Sequence, residues 1–81
     1  GIAVAPDPLG VRVRNVTTGS LAEQAGLRTG DVITRVAGAA VRDPAEVVAA
    51  VGRQPAGTIL PLLVTRGDRV LEILARFPAR P

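Results

Sequence analysis

The side chains that most often carry chemistry are scarce in this chain. Ser20 is its only serine, and histidine, lysine and cysteine are absent. A serine nucleophile needs a neighbouring base to take its proton, so nucleophilic catalysis at Ser20 has no support. Metal ligation would fall to seven scattered carboxylates with no imidazole or thiolate among them, so neither a metal nor a cofactor is expected. Gly26 and Gly30 do not make a phosphate cradle, because the segment after them reads as a strand and a phosphate loop opens a helix. Arg66-Gly67-Asp68 spells an integrin-binding tripeptide, yet a glycine turn flanked by charges is what a hairpin needs there. Ser20 has a plainer use. With Glu23 three residues on, it makes a capping box: the hydroxyl accepts from an orphan N–H and the carboxylate reaches back.

Composition narrows the field further. A chain of 81 residues is one small domain, and with 47% hydrophobic residues but Phe77 as the sole aromatic, its core must be aliphatic. Ten arginines against seven acids leave a charge of +3. The arginines are spread one or two per element, and there is no Trp or Tyr to stack bases, so nucleic-acid binding is not expected. No apolar run reaches the length of a membrane span or a signal peptide, so no direct membrane insertion is expected. The lack of cysteine leaves the redox compartment open. Arginine without lysine, beside abundant Ala, Gly, Val and Pro, suits a GC-rich bacterial genome. Because residue 1 is Gly and not Met, the chain reads as a segment of a longer protein.

The elements follow from periodicity and punctuation. Residues 1–5 are apolar and extended. Two prolines around Asp7 predict a turn over residues 6–10. Residues 11–16 alternate, valines inward and arginines outward. The capped helix over Leu21, Ala22 and Ala25 stops at Gly26, a left-handed C′ position, with Leu27 folding back on it. After the turn 28–31, Val32, Thr34 and Val36 alternate against Ile33, Arg35 and Ala37 in a strand. A tight turn at Gly38 leads to a short extended piece. Asp43 as N-cap, Pro44 at the first helical position and Glu46 open a second helix that runs to Val51 and ends at Gly52. Val47 and Ala50 supply its inward face; Pro44, Val48 and Val51 lie along another. Strands over 58–65 and 70–75 close the chain through the turn 66–69, and Leu71, Ile73 and Ala75 share a face whose phase Phe77 continues. Pro61 argues for an edge position or a bulge. The expected architecture is a small α+β domain over residues 1–77, a curled antiparallel sheet capped by two helices, with a tail or linker over 78–81.

The run from Ser20 to Gly38 resembles the S-P-A-x-x-A-G-L-x-x-G-D-x-I-x-x-V-x-G signature of bacterial PDZ domains, especially those of HtrA-type serine proteases. Leu21 stands where that signature has proline. The resemblance covers nearly the whole chain and implies a small antiparallel β-sandwich or partly open barrel, in the circularly permuted strand order of bacterial PDZ domains. It implies a non-catalytic module that recognises hydrophobic C-termini by strand addition, as the substrate-presenting or regulatory domain of an HtrA-type protease of the bacterial envelope or periplasm. The alternative is an assembly or docking module of the same fold that contacts its own protease domain or other subunits. A membrane metalloprotease or a magnetosome HtrA-like protein would carry the same residues.

By the same resemblance, Gly1, Ile2, Ala3 and Val4 form the carboxylate-binding loop and groove strand, and Pro44, Val48 and Val51 form the opposing helix wall. Ala3 stands where the loop has its second glycine, so a positive φ there would be costly. Pro44 replaces the histidine that in some family members selects Ser or Thr near the ligand's end. Pro6 and Pro8 limit the normal ladder to residues 2–5, which suits a ligand footprint of three or four residues.

Overall fold

The computed structural model describes residues 2–77, so Gly1 and the tail expected over 78–81 lie outside the described residues. The order of elements is β1 (Ile2–Asp7), β2 (Gly10–Val16), α1 (Leu21–Ala25), β3 (Val32–Val36), β4 (Ala39–Ala40), α2 (Pro44–Gly52), β5 (Ile59–Arg66) and β6 (Arg69–Arg76). All strand pairs are antiparallel and form one six-stranded sheet in the order β1-β2-β3-β5-β6, with β4 paired to β3. The sheet is open, with β1 and β6 as its outer strands. This is the expected α+β architecture, and the core is aliphatic: Val11, Val13, Ile33 and Val64 are fully buried, with Val47 of α2 packed over them.

Two bulges explain where simple alternation fails. In the β1–β2 ladder Ala3 faces Asn15 while Val4 faces Val13, so Arg14 is the extra residue. That slip turns Val16, on the opposite parity from Val11 and Val13, towards the core. In β3 the extra residue is Thr34, between the Ile33↔Val64 and Arg35↔Leu63 pairs. Ile33 and Val36 therefore share the core side, not Val32, Thr34 and Val36 as strict alternation predicts. The Thr34 hydroxyl donates to the Leu63 carbonyl across the bulge (3.2 Å).

The prolines also sit differently from expectation. Pro6 is within β1, opposite Val11, and the turn is only Pro8-Leu9. Pro61 lies in an interior strand, with β3 and β6 on its two sides. Its pairing with β3 ends one residue later in the chain, at Leu62, and its carbonyl accepts from Ala37 in the turn beyond β3 (2.8 Å). Its missing N–H therefore removes no ladder bond.

Both helices start and stop by local chemistry. Ser20 Oγ accepts from Glu23 N–H, and the Glu23 carboxylate accepts from Gly19 N–H, one residue further out than a regular capping box. At the other end Gly26 has φ 101°, and the Gly26 and Leu27 N–H groups donate to Glu23 and Ala22 carbonyls, a Schellman motif. α2 carries a full capping box between Asp43 and Glu46, with Pro44 in its first turn. Gly52 is itself helical and Arg53 caps the helix without a left-handed turn.

One ion pair ties these parts together. Asp31 is 1% exposed and meets Arg66 through two hydrogen bonds of 2.8 Å, from Nε to Oδ1 and from a terminal guanidinium nitrogen to Oδ2. Asp31 Oδ2 also accepts from Arg28 N–H (3.0 Å), and Arg66 donates to the Gly26 carbonyl (2.8 Å). Burial opposes ionisation of Asp31, but the Arg66 hydrogen bonds, the Arg28 N–H and the two guanidinium charges outweigh it and hold the carboxyl below its ordinary range. Arg66 is raised in return.

Space around Gly26 is open, so Gly26→Ala tests backbone conformation alone and should destabilise by about 1 kcal/mol or more in chemical denaturation. For Asp31, the folded protein binds the proton more weakly than the unfolded chain does. Its contribution is thus complete above about pH 5 and is lost as pH falls through about 4 and below. Asp31→Asn should lower stability at pH 7 by about 2 kcal/mol and flatten the loss between pH about 5 and 3. An unchanged acid slope in that variant would contradict the assignment.

Candidate functional site

A cavity of about 580 Å³ lies between β1 and α2. Ile2 and Val4 line it from β1, Val48 and Val51 from α2, and Leu27, Leu62 and Phe77 lie between them. Among the described residues, none of its lining side chains is ionisable. Such a surface offers no acid, base or metal ligand; it can take up apolar side chains and exclude water from them.

The backbone beside the cavity is unpaired on one side. Val13 donates its N–H to the Asp31 carbonyl (2.7 Å) and accepts from Gly30 N–H (2.8 Å), so both its main-chain groups face away from β1. Val4 is its cross-strand neighbour, and in an antiparallel ladder such a pair turns its groups outward on both sides. Val4 therefore presents N–H and C=O to the free edge. By the same alternation Pro6, opposite Val11, presents a carbonyl with no N–H. An open edge with an apolar trough next to it is a template for one more strand.

Of the residues expected to act together, the structure brings Ile2, Val4, Val48 and Val51 around this cavity. Val48 is 63% exposed and Val51 40%, while Val47 on the inward face is buried. Ala3 and Pro44 do not line it. Ala3 is extended and opposite Asn15, on the exposed side of β1, so the cost foreseen for a Cβ at positive φ does not arise. Gly1 lies outside the described residues. Leu27, Leu62 and Phe77 line the cavity in addition to the residues expected from the sequence. Phe77 was detectable, because it continues the inward phase of Leu71, Ile73 and Ala75; Leu27 was placed against α1, with no signal that it also borders a cavity.

A second cavity of about 510 Å³ lies on the other flank of α2, lined by Glu46 and Arg53 as well as by small apolar residues. It touches no part of β1; the strand beside it is the two-residue β4.

An open antiparallel sheet, two helices, and a free strand edge facing the second helix across an apolar trough together define a PDZ fold. The chain belongs to the PDZ domain family, whose profile matches residues 12–66. It is 37% identical over 70 residues to the putative serine protease HhoA of Synechocystis sp., a match covering 86% of this chain and 18% of that protein's length. Among solved structures it is similar to the HtrA3 PDZ domain bound to a phage-derived ligand (FGRWV), with TM-score 0.84 and 27% identity over 94% of this chain and 80% of that one. The serine endoprotease of Yersinia pestis matches all of this chain and 28% of its own, with TM-score 0.83 and 25% identity. The HtrA-type protease AlgW with decapeptide shares the fold at TM-score 0.86 and 22% identity, over 100% of this chain and 29% of that one.

Proposed function

We propose that this PDZ domain binds peptides ending in an aliphatic or aromatic residue with a free carboxylate, by adding the peptide as a strand to β1. The observation that carries the reading is the outward-facing main chain of Val4 beside a cavity that, among the described residues, has an apolar lining without ionisable side chains. In this reading Ile2, Val4, Val48 and Val51 contact the ligand's inward side chains, and Ala3 flanks the outward ones. Gly1 belongs to the carboxylate loop. Pro44, at the start of the helix wall, offers no hydrogen-bonding side chain, so Ser or Thr near the ligand's end gains no preference. Pro6 ends the run of donors and keeps the footprint to three or four residues. The apolar-ended FGRWV ligand of the HtrA3 domain supports the same chemistry.

The similarity to HhoA and to the HtrA-type structures supports a place in an HtrA-type serine protease of the bacterial envelope or periplasm. There the domain presents substrates or regulates the protease and does no peptide cleavage itself.

A fluorescence titration with peptides of the two kinds tests the reading. Free-carboxylate peptides ending in Val, Leu or Phe should bind at micromolar or weaker affinity, roughly −8 kcal/mol or less in magnitude, and amide capping should remove most of it. Val48→Glu should stay folded, because the residue is already solvated, and should lose binding; Val47→Glu should unfold the domain by burying an unpaired charge. Equal binding of capped and free peptides would favour the docking alternative, and a folded Val48→Glu that binds like the parent would remove α2 from the site.

A further inference from the structure

With the groove assigned to the β1 edge, the largest unexplained apolar exposure lies on the opposite side of the sheet. Leu60, Leu62 and Val64 of β5 and Ile73 and Ala75 of β6 point into the core. Ile59, Pro61, Leu63 and Thr65 therefore face outward along β5, and Val70, Glu72 and Leu74 along β6. Ile59 is 48%, Val70 64% and Leu74 43% exposed. α1 lies along the free edge of β6, where Leu21, Gln24 and Ala25 line a cavity together with Glu72, Leu74 and Arg76, and Val70, Glu72 and Leu74 nevertheless stay exposed.

The cross-strand register gives the face a pattern. On either side of β5, Val32 and Val70 flank Thr65, and Arg35 and Glu72 flank Leu63. Ala37, whose N–H donates to Pro61, and Leu74 flank Pro61. Beside Leu63, Arg35 on the β3 side thus stands opposite Glu72 on the β6 side. Arg76, further along β6 beside Ile59, also faces outward, and the Arg35 guanidinium donates to the Gly38 carbonyl (3.3 Å). Arg35 and Glu72 make no ion pair among the described residues, where Arg66–Asp31 is the one salt bridge.

We infer that this face pairs with a second copy of the same chain, sheet on sheet, about a twofold axis running along β5. That operation carries the β3 side of one copy over the β6 side of the other. Arg35 then meets Glu72 of the second copy twice, Val32 meets Val70, Ala37 meets Leu74, and Leu63 packs on its own equivalent. A twofold axis across the strands would instead set Arg35 against Arg35 and Glu72 against Glu72, and like charges so placed oppose association. The charge pattern selects the first axis. A self-complementary arrangement of this kind identifies a second copy as the occupant. Three strands make a footprint smaller than the roughly 800 Å² per partner of standard interfaces, so the pairing is weak and depends on concentration. Both peptide grooves stay open, because they lie on the other side of β5 and β6.

Sedimentation equilibrium of the domain up to about 1 mM tests the inference, in a concentration range suited to weak association. The apparent mass of the parent should rise towards that of a dimer. Arg35→Glu alone and Glu72→Arg alone should each weaken self-association by about tenfold or more, through repulsion across the axis. The double variant should recover it, and an equimolar mixture of the two single variants should form a heterodimer. A parent that stays monomeric throughout, or self-association indifferent to both charge reversals, would overturn the inference. Melting curves of all variants confirm that the fold is unchanged, since both positions are exposed.

Discussion

The buried carboxylate of Asp31 is the constraint on which the rest of the arrangement depends. A charge taken out of water must be met by fixed donors. Here they come from two places, the guanidinium of Arg66 at the end of β5 and the N–H of Arg28 after α1, and the same guanidinium also donates to the Gly26 carbonyl. The short α1, which has no fully buried residue of its own, is thereby fastened to the sheet. Leu27 follows directly on that fastening and is both core and cavity lining. Loosening Asp31 would therefore reach the trough through Leu27 and through β5, which supplies Leu60 and Leu62.

The second determinant is the distribution of main-chain hydrogen bonds. β2 spends its groups on β3 and on the turn before it, as Val13 does on Gly30 and Asp31. What remains unpaired at the β1 edge is the outward side of Val4, with Pro6 marking where donors stop. A free strand edge is usually a liability that invites non-specific pairing. In this domain it lies beside an apolar trough walled by α2, and under the proposed function that trough would make the edge selective for segments whose alternate side chains are apolar. Main-chain bonds would supply register and the trough preference, the division of labour expected of strand addition.

Much of this was legible in the sequence because it is local. The caps at Ser20, Asp43 and Gly26, the alternation of Val11 and Val13, and the outward placement of Val48 against inward Val47 all follow from residues within a few positions of one another. What was not legible depends on partners distant in the chain. The bulges at Arg14 and Thr34 exist only relative to facing strands, so alternation alone did not place Ile33 and Val36 on one side of β3. Pro61 reads as an edge residue until the end of β3 is known to fall beside it. Arg66, taken as part of a turn, revealed nothing of its bond to Asp31. Leu62 and Phe77 reach the cavity only because β5 and β6 form its far side.

The central claim is that a ligand strand adds to the free edge of β1, and amide hydrogen exchange at Val4, followed by NMR, addresses it most directly. In the free domain the Val4 N–H faces the open edge and should exchange rapidly, whereas Ala5, whose groups face β2, should already be protected. Saturation with a peptide of free carboxylate and apolar last residue should slow exchange at Val4 and leave Ala5 nearly unchanged. A Val4 amide that exchanges as fast in the saturated complex as in the free domain would contradict strand addition at this edge.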